Sequence, residues 1–364
     1  MNFFSAPMPF NNNDIDLIAK INDSHKESKI NMLYNCLPIN ATDWSGFEQF
    51  RATDFRINTL EDLIAIVKHA KSLGMDFTYL MNTINTPIPN EFRRREREIK
   101  TFLERLLEND IMNLRVSNTM IADYIICNYP EFKVHSSTSQ EYYSLKQYTN
   151  FFHHFPTIKS VVPSWDVNKN FEFISNFKKK FPDIVMELMV NEGCMGGCPF
   201  RRDHHSIEIA KGKEIYKDRF DYFFSIACGT LYHKDKTMNL CLNNIIYPWD
   251  IATYNKYGIY NFKLVGRNSP DFLRSSKYIE RFNTYLDGIE NIESIYDVSL
   301  IEFNHYTIFN TQLKDIKVCD IIEYLPKLNY FEKNGKNCAN ACGVTCNYCY
   351  DCAEKIKSEF YRRG

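Results

Sequence analysis

The chain has 364 residues, 44% of them hydrophobic and 15% aromatic, enough apolar mass for a large core and unlike a disordered or fibrous protein. Its 44 Lys and Arg nearly balance 45 Asp and Glu, for a formal net charge of −1, so no global excess of cation advertises a polyanion partner. No window approaches the roughly 18 uninterrupted apolar residues of a membrane span. Asn11, Asn12, Asn13 and Asp14 stand where an export signal needs an apolar run, so no membrane insertion is expected and the cytoplasm is the expected compartment.

Short apolar runs then alternate with amphipathic stretches. The first expected strand is Ile30–Cys36. Thr59–Leu73 has the stripe of a helix in Leu60, Leu63, Ile64, Ile66 and Val67, with Asn58 or Thr59 as its cap and Gly74 as its stop. A strand at Phe77–Asn82 leads to a charged helix, Asn90–Glu108, with Phe92, Ile99, Phe102, Leu106 and Leu107 on its inner side. Its Arg93, Arg94, Arg95 and Arg97 are expected on a solvated outer face rather than in a basic binding patch. Strands follow at Met112–Ser117, Phe132–Ser137 and Ser160–Ser164, a helix at Asn170–Lys180, strands at Ile184–Val190, Leu240–Tyr247 and Tyr260–Gly266, and a helix at Ser275–Leu286.

This alternation predicts an α/β fold, a (β/α)8-type barrel over residues 1–288. An open doubly wound sheet fits less well, because no glycine-rich dinucleotide loop follows the first strand. Barrel chemistry sits at the C-terminal ends of the strands, where Cys36, His135, Ser136, Asp166, Asn191 and Arg267 fall. Residues 289–364 break the pattern with two β-like runs, Val298–Phe303 and Tyr306–Phe309, and a cysteine-dense segment, which together read as a small metal-binding extension.

Twelve cysteines without an export signal are expected to be thiols or metal ligands rather than disulfides. After the strand at Ile184–Val190 the chain reads Asn191-Glu192-Gly193-Cys194-Met195-Gly196-Gly197-Cys198-Pro199, followed by Arg201, His204 and His205. Two cysteines joined by a glycine-containing turn can wrap one metal corner, and Cys228 and Cys241 would complete a set of four thiolates, which suit iron. Cys228 also reads as a buried small apolar residue within Phe223–Cys228. The tail carries Cys338, Cys342, Cys346, Cys349 and Cys352. A second cluster and a structural zinc both fit this spacing. The order from Cys342 to Cys349 also occurs in radical-SAM enzymes, but here it lies beyond the barrel rather than after its first strand. His204 and His205 are candidate ligands or proton carriers, whereas His153 and His154 are expected to be structural. Arg267 fits either a clamp for a substrate carboxylate or phosphate or a surface ion pair. His135, His204 and Arg267 are the candidate catalytic residues. No Ser-His-Asp set, nucleophile elbow, H-E-x-x-H or Walker loop is present.

The stretch from Glu187 through Asn191, Cys194, Cys198-Pro199-Phe200-Arg201 and His204 resembles the core of the peptidase U32 family. Val134–Thr138, Val161–Asn168, Ile246–Asp250 and Phe262–Arg267 resemble segments around that core. The resemblance implies a barrel holding a [4Fe-4S] cluster on Cys194, Cys198, Cys228 and Cys241, and an oxygen-independent hydroxylation or related redox transfer on a small molecule or RNA, with prephenate as one oxygen donor. It also leaves room for a peptidase, and for a non-catalytic cluster protein serving a protein partner or heterodimer as scaffold or electron donor. The spacing around Cys194 and the cysteine-rich tail depart from the family pattern, as a divergent branch would.

Overall fold

The computed structural model describes residues 1–37, 59–82, 92–93, 95–192, 196–201, 236–265, 286, 321–334 and 342–360. Eight parallel strands close into a barrel in chain order. They are β1 (Asn2–Pro7), β2 (Ser28–Asn35), β3 (Asp76–Met81), β4 (Asn113–Val116), β5 (Lys133–Ser136), β6 (Ser160–Val161), β7 (Val185–Met189) and β8 (Asn261–Lys263). β8 closes the ring by pairing with β7 on one side and β1 on the other. This is the (β/α)8-type barrel that the alternation predicts.

One expected strand is wrong and one strand has no counterpart in the sequence reading. Leu240–Tyr247 is not a strand: its first three residues end a short helix, α7 below, and the rest form a loop. Because β7 pairs directly with β8, the sheet has no place for a strand between them. The eighth strand is instead β1, whose Asn-Phe-Phe-Ser-Ala-Pro sequence mixes Ser5 and Pro7 with apolar residues. Its pairing with β2 and β8, rather than its composition, makes it a strand.

The outer helices are α1 (Asn12–Ser24), α2 (Leu60–Ser72), α3 (Glu96–Glu108), α4 (Thr119–Asn128), α5 (Leu145–His154) and α6 (Phe171–Lys180), with the shorter α7 (Lys236–Leu242) and α8 (Ile251–Asn255) between β7 and β8. Capping chemistry sets their ends. Thr59 Oγ1 accepts from Asp62 N at 3.1 Å to open α2, and Gly74, with φ +80°, carries the chain away from it. Asn170 Oδ1 accepts from Phe173 N at 3.0 Å to open α6. Helix α3 starts at Glu96, later than expected, and buries Ile99, Phe102, Leu103 and Leu106. Arg93 and Arg97 are exposed and Arg95 pairs with Glu98, the solvated arrangement expected of these three arginines, and further along the helix Arg105 pairs with Glu61. Helices α1 and α4 have no counterpart among the expected helices, whereas α5 carries His153 and His154, which are expected on a helix. Ser275–Leu286, apart from Leu286 itself, and the tail runs Val298–Phe303 and Tyr306–Phe309 lie outside the described residues.

The tail contributes α9 (Leu328–Asn334) and α10 (Tyr348–Phe360). Helix α10 packs on α7 and α9 on α6. Lys169 Nζ lies 5.1 Å from the centre of the Phe331 ring, and Tyr257 OH donates to Glu332 Oε1 at 3.2 Å. Among the described residues no helix is long and apolar enough to cross a membrane.

The two faces of the barrel sheet differ in chemistry. Most outward residues are apolar and meet the helices, as with Tyr79 against Phe102 (5.2 Å between ring centres) and Phe262 against Tyr254 (6.4 Å). Arg115 on β4 forms an ion pair with Glu187 on β7. These strands are not neighbours, so the pair spans the barrel interior. Interiors of this fold are ordinarily filled by branched apolar side chains; this one holds charge.

Candidate functional site

All strands are parallel, so their C-terminal ends share one rim of the barrel. Cys36 follows the end of β2, Ser136 ends β5, Asp166 follows β6 and Asn191 follows β7, which places these sequence candidates around one mouth. Inward positions recur every second residue along a strand. Those just above the charged layer are therefore Asn82, Ser117 and Ser137, and the three are bonded together: Ser117 Oγ and Ser137 Oγ both donate to Asn82 Oδ1, at 3.1 and 3.0 Å. Across the mouth the Asn191 amide bridges to the segment after β8, accepting from Val265 N at 2.8 Å and donating to Val265 O at 3.3 Å.

Asp166 organises the side of the mouth that carries cysteine. It lies in a single 3-10 turn, Trp165–Val167, opened by Ser164. Its carboxylate takes both terminal nitrogens of Arg201, at 2.5 Å (Nη1–Oδ2) and 3.0 Å (Nη2–Oδ1). Oδ1 also accepts from Gly197 N at 2.9 Å and from Asn244 Nδ2 at 3.3 Å. Gly197 and Arg201 flank Cys198; Asn244 follows α7, which contains Cys241. One carboxylate thus joins the Cys198 loop to the Cys241 segment. Arg201 is 4% exposed, and its guanidinium lies 4.0 Å above the Trp165 ring.

Backbone contacts tighten the same junction. A Cβ on Gly196 would meet Asn244 Nδ2 at 2.6 Å and Leu242 O at 3.1 Å, so any larger residue must push the Asn244 amide aside and crowd the end of α7. The segment after α7 is anchored to the barrel: Asn168 Nδ2 donates to Met189 O (2.7 Å) and Asn244 O (2.9 Å), Lys169 Nζ donates to Asn243 O (2.6 Å), and Ile246 N donates to Val190 O (2.8 Å). Cys241 is buried and Cys198 partly exposed. They are soft sulfur donors on two abutting segments, the described half of the expected thiolate set. Cys194, Cys228, His204, His205 and Arg267 lie outside the described residues. Among the described residues no three His, Cys, Asp or Glu side chains group closely enough to hold a metal ion.

In the tail, Cys342 and Cys346 are joined by a backbone bridge, and Gly343 N donates to Cys346 O at 3.0 Å. Cys349 stands in the first turn of α10, and the Tyr330 hydroxyl lies 3.5 Å from Cys346 Sγ. Cys352, one turn further along, is 8% exposed and belongs to the core, where burial raises its thiol pKa. Cys338 lies outside the described residues. The tail and central cysteines approach each other through Tyr247, whose buried hydroxyl feels both Cys241 and Cys349.

His135 is the candidate whose position is most informative. It sits within β5, facing inward beside Arg115, its register partner on β4. Burial, reinforced by the Arg115 charge, lowers its pKa to about 4, so the ring is neutral near pH 7. Its Nε2 lies 3.2 Å from Asn113 Oδ1. Glu187 stays ionised because the nearby Arg115 and Lys263 charges hold its pKa down against the cost of burial. By contrast, His153 and His154 lie on α5, where His154 makes an exposed 3.4 Å contact with Asp123.

Arg115, Glu187 and Lys263 do not emerge from the sequence reading as site residues. Each is a charge inside a strand-like apolar run, and that conflict with the pattern is the signal that could have found them. Asp250, in the turn before α8, is a further buried charge: burial lifts its carboxyl to about 6, against the lowering effect of Lys169.

No family model matches the chain. No curated protein matches it by sequence. Among solved structures, it is similar to the U32 peptidase Mk0906, at 12% identity over 59% of this chain and 78% of that one, with a TM-score of 0.43. It is similar at a lower level to SrfJ of Salmonella typhimurium, at 10% identity over 72% of this chain and 64% of that one, with a TM-score of 0.35. A maltogenic α-amylase, AmyB of Thermotoga neapolitana, gives 12% identity over 52% and 59% of the two chains, with a TM-score of 0.33.

Proposed function

We propose that the protein is an iron–sulfur barrel enzyme whose [4Fe-4S] cluster is held by Cys194, Cys198, Cys228 and Cys241 at the C-terminal mouth. In this reading it carries out an oxygen-independent hydroxylation or related redox transfer on a small molecule or RNA. The observation that supports it most is the Asp166 junction, which brings the Cys198 loop against the Cys241 segment at the rim where barrel enzymes do their chemistry. A bound cluster would supply one-electron transfer.

The chain's own residues supply binding and orientation. Arg201 and Asp166 hold the Cys198 loop in register. Asn82, Ser117 and Ser137 offer neutral hydrogen-bonding groups at the mouth, and neutral His135 with Arg115 and Glu187 forms the charged floor below. The test is anaerobic purification with iron, sulfide and zinc counts beside an absorption spectrum, followed by a comparison of RNA modifications and metabolites in a deletion strain. Zinc without sulfide in the full chain would sink the reading.

A further inference from the structure

We propose that the polar layer inside the barrel binds a small oxyanion that also carries an O–H group, such as a hydroxycarboxylic acid or hydrogen phosphate, with Arg115 as its anchor. This goes beyond the cluster reading and does not depend on it.

Three polar atoms from three adjacent strands have no hydrogen-bond partner among the described protein groups: Thr78 Oγ1 on β3, Arg115 Nε on β4 and His135 Nδ1 on β5. Thr78 and Arg115 are 1% and 5% exposed, so bulk water does not serve them. All three residues face inward: Arg115 is in register with Leu80 on β3 and His135 on β5, and Thr78 stands two residues before Leu80. The Ser5 hydroxyl on β1 is already bonded to the Glu187 carboxylate. Buried polar groups left without partners are costly, and three on neighbouring strands point to a guest rather than to an accident of one strand.

The donor and acceptor pattern specifies the guest. Arg115 Nε can only donate, and a guanidinium favours an anionic acceptor. The Thr78 hydroxyl can donate to the same anion. His135 asks for the opposite. Asn113 Nδ2 donates to Asp76 Oδ2 at 2.9 Å and to Phe77 O at 3.3 Å, which turns Asn113 Oδ1 toward the imidazole. Nε2 therefore carries the proton of the neutral ring, and Nδ1 is left as an acceptor. A ligand that pairs an oxyanion with a hydroxyl meets both demands; a simple carboxylate meets only one. Asn82, Ser117 and Ser137 make the mouth side of this layer polar as well.

The test is calorimetric titration of the full chain, purified in chloride buffer, with acetate, glycolate and orthophosphate. Glycolate or orthophosphate should bind, acetate should bind roughly threefold to tenfold more weakly than glycolate, and Arg115→Lys should weaken all binding by about tenfold or more. His135→Gln should remove the preference for glycolate over acetate while leaving the anion bound, and it decides the matter if Arg115→Lys does not fold by circular dichroism. Binding should be the same in Cys198→Ala protein whatever its iron content, which separates this site from the cluster. No binding by any probe, or binding indifferent to both substitutions, would overturn the proposal.

Discussion

Asp166→Asn removes the charge from the one carboxylate that joins the two cysteine-bearing segments, yet it keeps an oxygen in place of Oδ1. Gly197 N and Asn244 Nδ2, both of which donate to Oδ1, can retain their bonds. The substitution therefore isolates the ion pair with Arg201, which is 4% exposed. Stranding one member of a buried pair typically costs about 3–5 kcal/mol. The Asp166 side chain is 31% exposed, so water screens part of the interaction, and about 2–3 kcal/mol is the expected loss. Urea unfolding of Asp166→Asn, Arg201→Gln and the double variant closes a cycle in which the stacking of Arg201 on Trp165 cancels. The expected coupling is about 2 kcal/mol, and Cys198 should react faster with a thiol reagent in each single variant. Additivity within about 0.5 kcal/mol, with unchanged Cys198 reactivity, would refute the role given to Asp166.

Gly196→Ala should destabilise the chain by about 1–3 kcal/mol and lower its iron content, because the new methyl meets a backbone carbonyl as well as the Asn244 amide; urea unfolding and iron counts check this. His135 has a folded pKa of about 4, below its unfolded value of about 6.5, so the unfolded chain binds the proton more readily. Its contribution is therefore intact above about pH 6.5 and declines as pH falls toward 4. His135→Gln should flatten that part of the stability profile, and NMR should show an imidazole that stays neutral through pH 6. Glu187→Gln should cost about 3–5 kcal/mol by stranding Arg115 inside the barrel; unfolding in urea within about 0.5 kcal/mol of the parent would contradict the interior ion pair. If a metal folds the tail, a chelator should expose residues 342–360 to protease before the barrel opens.

The barrel was legible because parallel strands buried on both faces read as apolar runs, and because Thr59, Gly74 and Asn170 are strong helix punctuation. The exchange of Leu240–Tyr247 for β1 shows where this reading stops. Leu240, Cys241 and Leu242 are apolar in a helix as they would be in a strand, and a run this short does not distinguish the two. β1 is recognised only by its two neighbours. At the site, Asp166 and Asn191 follow from their positions after strands. The partnership of Asp166 with Arg201 and Asn244 joins residues 35 and 78 positions apart, and no local pattern encodes it. Arg115 and Glu187 are hidden for a related reason, since each reads as an interruption of a strand until the closed barrel brings them together.

The most direct test of the central claim is the iron and sulfide content of the anaerobically purified full chain, compared with paired cysteine variants. The parent should contain at least about four iron and four sulfide per chain with a broad visible absorption. Cys198→Ala with Cys241→Ala should remove about four of each, whereas Cys342→Ala with Cys346→Ala should leave that central complement in place. Full iron, sulfide and colour in the Cys198 and Cys241 double variant would contradict the account.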